Sequence, residues 1–214
     1  MEEFWNERYS STDFAYGEAP NAFFREHLDS VKPGALLLPA DGEGRNAVYA
    51  ATRGWTPFSS DISAEGKKKA EALGRRFGVA LDYRVGDFGK LEYPGQSFDA
   101  AGLIYAHFSP DKKAPYHQKV HELLRPGGLV ILEAFSKNHL AFNQQNPKVG
   151  GPRDVAFLLS TDEISGYFPG YECLLLEEVE IELREGAFHQ GRASVVRFVG
   201  RKPLCPKEQE HAEN

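Results

Sequence analysis

The stretch LLLPADGEGRNAVYAATRGW, residues 36–55, constrains the fold of this chain more than any other segment. The apolar run Ala35–Leu38 is typical of a strand buried on both faces. The loop Pro39–Gly44 carries two glycines, and Arg45–Arg53 has the pattern of a helix that ends at Gly54. A strand, a glycine-containing loop and a helix in this order begin a βαβ unit, so we expect a ligand at the loop.

The same alternation of apolar strands and amphipathic helices continues along the chain. Further strands are predicted over residues 56–60, 79–85, 98–106 and 129–135, and helices over 64–77 and 111–124. Two long strands over 171–185 and 193–201 follow, joined by a hairpin over 186–191. This order predicts an α/β fold with a doubly wound, mostly parallel seven-stranded sheet and a C-terminal antiparallel hairpin. The carboxyl ends of the parallel strands then share one rim, where such sheets bind ligands.

Composition narrows the class of protein further. The formal net charge is −6, which disfavours nucleic acid as a partner. No signal peptide and no membrane-spanning run is evident, so a cytoplasmic protein without a membrane partner is expected. The two cysteines have no metal spacing, and His117 and His121 lack a third ligand nearby, so these histidines are expected on a solvated helix face and no metal is predicted. The run Lys67–Lys69 is likewise expected on a solvated face.

Acidic residues mark the predicted rim. Asp41 and Glu43 lie in the first loop, Asp61 ends the second strand 19 residues after Gly42, and Asp87 follows the third strand. An acid at the spacing of Asp61 accepts hydrogen bonds from ribose hydroxyls. So much negative charge repels a pyrophosphate but suits an adenosine with a cationic tail, such as S-adenosylmethionine. No Gly-Lys-Ser/Thr follows the loop, which excludes a P-loop.

The order of these segments resembles that of class I S-adenosylmethionine-dependent methyltransferases. The resemblance rests on ADGEGRNAVYAA, SSDIS, VGDF, FDAAGLIYAHF and LLRPGGLVILEAF, and it covers residues 4–202. The opening FWNERYSSTDFAYGEAPNAFF and the closing EGAFHQGRASVVRFVGRK look like the small tellurite-resistance-type branch. The resemblance implies a Rossmann-like methyltransferase fold and methyl transfer from S-adenosylmethionine to a small molecule, with a thiol or another chalcogen nucleophile as one candidate acceptor.

The resemblance also assigns cofactor contacts to this chain. It places the loop residues Ala40, Asp41, Gly42, Glu43 and Gly44 against the methionine portion. It places Asp61 at the ribose and Ile62 at the adenine, with Asp87 at the adenine amine and Phe88 beside the ring. Two departures stand out, because Leu38 and Ala40 occupy positions where an acid and a glycine are common. Either Asp41 or Glu43 replaces the missing acid at the methionine ammonium, or affinity for the cofactor is low.

Three residues are candidates for catalysis. The resemblance places Tyr105, near the end of the predicted fourth strand, and His107, which follows that strand, close to the sulfonium. His189 lies in the closing hairpin together with Arg192. His107 is either a general base or substrate contact, or a histidine that orients a loop. His189 and Arg192 either face the acceptor or stabilise the turn. Arg153 either attracts an anionic substrate or forms a salt bridge.

The predicted organisation is one domain over residues 1–202 with a disordered tail over 203–214. Residues 1–30 are expected to form a lid in which Trp5, Tyr9 and Tyr16 stack on the sulfonium, with packing of a helix on the sheet as the alternative. Residues 136–159 are expected to cap the substrate site. Two other functions remain open: a non-catalytic module that binds S-adenosylmethionine or S-adenosylhomocysteine, and an NAD-dependent oxidoreductase, which would need a third loop glycine. The protein is expected to be a monomer or a homodimer.

Overall fold

The structure, a computed structural model, describes residues 1–204. Its seven strands form one sheet in the order β3-β2-β1-β4-β5-β7-β6. The strands are β1 Ala35–Pro39, β2 Thr56–Asp61, β3 Asp82–Val85, β4 Phe98–Ile104, β5 Leu124–Phe135, β6 Glu172–Glu185 and β7 His189–Arg201. Strands β1 to β5 pair in parallel, and β7 is antiparallel to both β5 and β6. The predicted fold class is therefore confirmed.

Seven helices and three short 3₁₀ turns complete the part of the chain that the structure describes. The helices are α1 Glu2–Tyr9, α2 Ala22–Leu28, α3 Arg45–Thr52, α4 Ala64–Arg76, α5 Pro110–Leu123, α6 His139–Gln145 and α7 Thr161–Tyr167; the 3₁₀ turns are Phe88–Lys90, Pro147–Val149 and Val155–Phe157. No helix within residues 1–204 is long and apolar enough to cross a bilayer. The predicted tail lies almost entirely outside the described residues.

The core has two apolar layers, one on each face of the sheet. Alternate side chains of β1 point to opposite layers, so Leu37 packs in one cluster and Leu36 and Leu38 pack in the other. Leu38 is fully buried, and it fills the space that Gly102 of β4 leaves open, since a Cβ on Gly102 would lie 2.7 Å from a Leu38 methyl carbon. A carboxylate at position 38 would be buried in this layer without a partner, so the missing strand-one acid is a packing feature of this chain.

Several element boundaries differ from the predictions. Strand β3 begins at Asp82 rather than at residue 79, because the Val79 N–H caps helix α4 at the Gly74 carbonyl. The predicted hairpin loop 186–191 is shorter, since β7 already begins at His189, which pairs with Glu185 across the turn. The predicted lid over residues 1–30 is shorter in the structure. Helix α2 packs in the core through Phe24 and Leu28, so only the first 20 residues cover the rim.

Candidate active site

A cavity of about 1240 Å³ opens at the carboxyl ends of the parallel strands. Sites for drug-sized ligands are roughly 300–1,000 Å³, so this cavity is large enough for a cofactor and a second small molecule. Apart from Gly44, the predicted site residues all line it: Trp5, Tyr9, Tyr16, Ala40, Asp41, Gly42, Glu43, Asp61, Ile62, Asp87, Phe88, Tyr105, His107 and His189. The tertiary structure thus brings together residues from six separate segments of the chain.

The loop after β1 folds through three left-handed residues, and two of them are glycines for steric reasons. The φ angles of Ala40, Gly42 and Gly44 are 55°, 58° and 78°. A Cβ on Gly42 would lie 2.6 Å from the Tyr9 hydroxyl, and one on Gly44 would lie 2.4 Å from the Cβ of Ala70. Gly44 therefore allows α3 and α4 to approach each other and does not line the cavity. Ala40 adopts a conformation that costs an L-residue roughly 1–2 kcal/mol.

Asp41 is the acid of this loop that is available to a ligand. Its Oδ2 accepts a hydrogen bond from the Ser59 hydroxyl at 2.9 Å, whereas its buried Oδ1 has no hydrogen-bond partner within residues 1–204. Burial, with a contribution from nearby Asp61, raises the pKa of Asp41 to about 8, against the opposing effects of the Ser59 hydroxyl, Arg45 and the Ala47 N–H. An unsatisfied buried carboxyl oxygen on a cavity wall suits a cationic ligand group, which would favour its ionised form.

Glu43, the other acid of the loop, already has partners. Its carboxylate accepts the Ala15 N–H at 2.9 Å and pairs with Lys69 at 2.7 Å, and its side chain is almost fully buried. Glu43 therefore fastens the N-terminal segment to the loop, which leaves Asp41 as the candidate replacement for the absent strand-one acid. Lys69, expected on a solvated face, is instead mostly buried, because this ion pair and the Asp13 carbonyl hold its ammonium group.

Asp61 and Asp87 end neighbouring strands on one side of the cavity. Asp61 accepts the N–H groups of Gly42 and Ser63, one on each oxygen, and burial raises its pKa to about 6. Each oxygen keeps one lone-pair direction for a hydroxyl donor. Burial tends to raise the pKa of Asp87, but Lys112, the Tyr116 hydroxyl and the Gly89 N–H outweigh this effect and lower it to about 2. Asp87 is thus ionised and hydrogen-bonded at neutral pH.

The geometry of His107 corresponds to the loop-orienting alternative. Its Nε2 accepts the Phe135 N–H at 3.2 Å, so its Nδ1 must carry the proton and donate it to the Phe157 carbonyl at 3.1 Å. Burial lowers its pKa to about 4, and the ring is neutral. Both nitrogens join the end of β5 to the connection that follows it, so the ring has no lone pair left for an acceptor proton.

His189 has the free nitrogen that His107 lacks. Its Nδ1 lies 3.1 Å from a Glu185 carboxylate oxygen, and its Nε2 has no hydrogen-bond partner within the described residues. Burial lowers the pKa of His189 despite the adjacent Glu185, so the imidazole is neutral at pH 7. Because Glu185 accepts the Nδ1 proton, the lone pair lies on Nε2, in a ring that lines the cavity.

Five residues outside the predicted site hold this part of the cavity. Glu185 accepts hydrogen bonds from His189, from Arg45 at 2.9 Å and from Asn21 at 3.3 Å. Glu133 accepts the Tyr105 hydroxyl at 3.0 Å and also binds Asn21 and Arg197. Tyr105 is therefore a buried donor to Glu133, with a φ of 52° that ends β4. The one signal in the sequence was Glu133 itself, an acid within the apolar run LVILEAF.

The N-terminal segment covers the cavity through aromatic side chains. The Trp5 and Tyr9 rings stack with centroids 5.4 Å apart, and the Tyr16 ring lies 4.4 Å from that of His189. Tyr9 is buried against the first loop, which is the packing alternative for this residue, whereas Trp5 and Tyr16 are partly exposed along the cavity wall.

Two other predictions need correction. Arg192 does not line the cavity, because it points to the surface and pairs with Glu180. His117 is buried rather than solvated: its ring stacks on Tyr167 and its Nδ1 lies 2.7 Å from the Lys113 carbonyl. No group of three or more metal-binding side chains occurs within residues 1–204.

Sequence comparisons relate part of this chain to methyltransferases. Residues 39–128 match a family described as a methyltransferase domain. An uncharacterised protein of Mycobacterium bovis is 29% identical over 102 residues, which are 47% of this chain and 37% of that protein. A sterol 24-C-methyltransferase of Gibberella zeae is 25% identical over 135 residues, which are 58% of this chain and 36% of that enzyme. The matched regions thus span little more than a third of these relatives.

Solved structures resemble nearly the whole chain. A protein studied for the conversion of a disulfide bond into a thioacetal group during echinomycin biosynthesis has a TM-score of 0.77 and 17% identity, covering 100% of this chain and 97% of that one. TehB from Haemophilus influenzae has a TM-score of 0.69 and 15% identity, covering 94% and 66%. A SAM-dependent methyltransferase from Methanosarcina mazei has a TM-score of 0.67 and 17% identity, covering 87% and 100%. This chain has the Rossmann-like fold of S-adenosylmethionine-dependent methyltransferases, and its residues 39–128 match a methyltransferase domain.

Proposed function

We propose that this protein transfers the methyl group of S-adenosylmethionine to a small-molecule nucleophile. The observation that carries the proposal is one cavity that joins an acidic rim, formed by Asp41, Asp61 and Asp87, to the free nitrogen of His189. The methyltransferase-domain match and the fold support the same conclusion. An NAD-dependent oxidoreductase is disfavoured, because Asn46 stands near the position of a third loop glycine and the acids repel a pyrophosphate.

The residues present fit S-adenosylmethionine. The unsatisfied Oδ1 of Asp41 suits the methionine ammonium, and Asp61 has free lone-pair directions for the ribose hydroxyls. Asp87 lies beyond them at the end of β3, where it can accept the adenine amine, with Phe88 beside the ring. The bound cofactor supplies a methyl group that its sulfonium activates for displacement.

The chain has three tasks in the reaction. The cavity walls align the acceptor with the methyl group and exclude water. The N-terminal segment helps to exclude water because it covers the rim. His189 takes the acceptor proton on Nε2 as the acceptor lone pair bonds to the methyl carbon, which S-adenosylmethionine would supply with S-adenosylhomocysteine as the leaving group. Glu185 holds the Nδ1 proton and stabilises the imidazolium that forms. A thiol is a suitable acceptor, because it needs only removal of a weakly held proton.

Calorimetric titration with S-adenosylhomocysteine, with NADH as the control ligand, tests the proposal. Micromolar binding of S-adenosylhomocysteine without binding of NADH is the expected result. A panel of thiol, selenol, phenol and amine nucleophiles then tests methyl transfer by mass spectrometry of the products. Binding without turnover across the panel would favour a non-catalytic module, and no binding would overturn the proposal.

A further inference from the structure

The basic side chains that line the cavity differ in whether another side chain binds them. Four Lys and Arg side chains line the cavity within residues 1–204: Arg8, Arg45, Lys112 and Arg153. Arg45 pairs with Glu185 and Lys112 pairs with Asp87. Arg8 lies over two aromatic rings, 3.8 Å from the Phe188 ring centroid and 5.1 Å from that of Phe4. Arg153 alone among the four has no ion pair, hydrogen bond or contact with an aromatic ring within the described residues.

The backbone that carries Arg153 is held in a defined turn. Gly150 and Gly151 have φ angles of 77° and 83°, and Asn143 donates hydrogen bonds to both of their carbonyls. His139 also hydrogen-bonds the Gly150 carbonyl at 3.0 Å. The guanidinium of Arg153 is therefore presented from a fixed turn at the cavity, even though its side chain is exposed.

Arg153 lies on the acceptor side of the cavity. It belongs to the connection after β5, whereas Asp61 and Asp87, which suit the adenosine, end β2 and β3 on the other side of β1. The same side of the cavity is lined by apolar and aromatic side chains. The Phe135 ring lies 5.3 Å from that of His189, Pro152 directly precedes Arg153, and Phe157 belongs to the same connection after β5. A ligand here meets a general base at one end, flat apolar surfaces along its body and an unpaired guanidinium at the mouth.

We propose that the acceptor is a small nucleophile with an aromatic or apolar body and a carboxylate-type anion, and that Arg153 binds this anion. The inference rests on the proposed function, because it identifies the acceptor class of the same site. A planar guanidinium binds a carboxylate through two parallel hydrogen bonds, which gives orientation as well as affinity. With the anion held at Arg153, the nucleophilic atom of the acceptor is directed toward His189 and the methyl group.

A matched pair of product analogues tests this inference without requiring turnover. The protein saturated with S-adenosylhomocysteine is titrated with 4-(methylthio)benzoate, an anion, and with 4-(methylthio)benzyl alcohol, its neutral counterpart. We expect the benzoate to bind about tenfold more tightly, and added salt to reduce the difference. Arg153→Gln should abolish the preference and Arg153→Lys should retain part of it, whereas Arg184→Gln, which removes an exposed arginine on β6 outside the cavity, should bind as the wild type does.

The outcomes separate this inference from the proposed function. Equal binding of both analogues, or binding of neither at millimolar concentration, would overturn the inference. So would a loss of S-adenosylhomocysteine affinity in Arg153→Gln, because it would place the guanidinium at the cofactor carboxylate instead. A benzoate preference that depends on Arg153 supports the inference even if no thiol is methylated, a result that would count against the proposed function alone.

Discussion

The Nδ1 atom of His189 lies 3.1 Å from the Glu185 carboxylate, across the turn that joins β6 to β7. This pair fixes the tautomer that leaves the Nε2 lone pair at the cavity. Arg45 binds the same carboxylate at 2.9 Å, so Glu185 remains ionised while its imidazole partner stays neutral. The hairpin therefore contributes the proposed general base to a rim that otherwise comes from the parallel strands.

Replacing His189 with Gln should lower kcat about 10²-fold, because the base for the acceptor proton is lost. In the wild type, kcat should fall only as the pH drops below the ordinary range of a histidine, since burial lowers the pKa of His189. Fixed-time assays of methyl transfer from pH 5 to 8, on the wild type and the variant, measure both effects. An unchanged rate in the variant would remove His189 from the mechanism.

His107→Asn serves as the contrast to this variant. Both ring nitrogens of His107 bind the backbone, so this change should reduce the melting temperature by several degrees with a smaller effect on kcat at a temperature where the fold is intact. Thermal unfolding and kinetics on the same preparation decide the matter. A large loss of kcat without loss of stability would show that His107 acts on the reacting atoms.

Cofactor binding should release protons at pH 7. Asp41 has a pKa of about 8 in the free protein and is mostly protonated there, and a bound ammonium lowers that pKa and expels the proton. Calorimetry in phosphate and Tris, which differ in ionisation enthalpy, gives the number of protons released. Asp41→Asn should abolish most of the release and weaken binding, and proton uptake in the wild type would contradict the assignment.

The same group makes stability depend on pH. The pKa of Asp41 is raised on folding, so its contribution favours the folded state below about pH 4, the unfolded value, and is lost as the pH rises toward 8. The free energy of unfolding of the ligand-free wild type minus that of Asp41→Asn should therefore decline across this window. Taking the difference cancels the opposite effect of buried histidines such as His107, whose pKa is lowered. Denaturant titrations at several pH values measure the difference.

Ala40→Gly should stabilise the protein by about 1 kcal/mol. Glycine adopts the φ of 55° without the steric cost of a Cβ, and this gain exceeds its greater loss of chain entropy on folding. Urea denaturation measures the change, and Ala51→Gly, within helix α3, is a control that should destabilise by a similar amount. A destabilised Ala40→Gly variant would mean that the methyl group of Ala40 packs more favourably than its backbone strain costs.

Glu43→Gln should loosen the N-terminal segment. The substitution removes the charge that pairs with Lys69 and weakens the hydrogen bond from the Ala15 N–H. Both contacts are buried at the first loop. Limited proteolysis within residues 1–20 should become faster, and S-adenosylhomocysteine should dissociate faster. Glu65→Gln, which alters an exposed ion pair with Lys68, is the control. Equal proteolysis rates for Glu43→Gln and wild type would show that this contact does not hold the segment in place.

The sequence by itself determined the order of strands and helices, the glycine loop and the acids that end the strands. These features are local, because apolar periodicity and turn residues are written in consecutive positions. Leu37 and Leu38 also reveal a strand buried on both faces before any contact is known. The prediction that Asp61 lies on the same rim as the first loop followed from topology alone, since the carboxyl ends of parallel strands meet at one edge.

Only the tertiary structure decided which polar groups are free. In the sequence, His107 and His189 are both single histidines near the predicted rim. In the structure, both ring nitrogens of His107 bind distant backbone groups, whereas His189 keeps a lone pair at the cavity. Glu43 and Asp41 differ in the same way, because Lys69 and Ala15 reach the first acid and nothing within residues 1–204 reaches one oxygen of the second. Hydrogen-bond partners that come from 26 or 28 residues away leave no pattern in the local sequence. Only the folded structure therefore shows which polar groups have a partner and which do not.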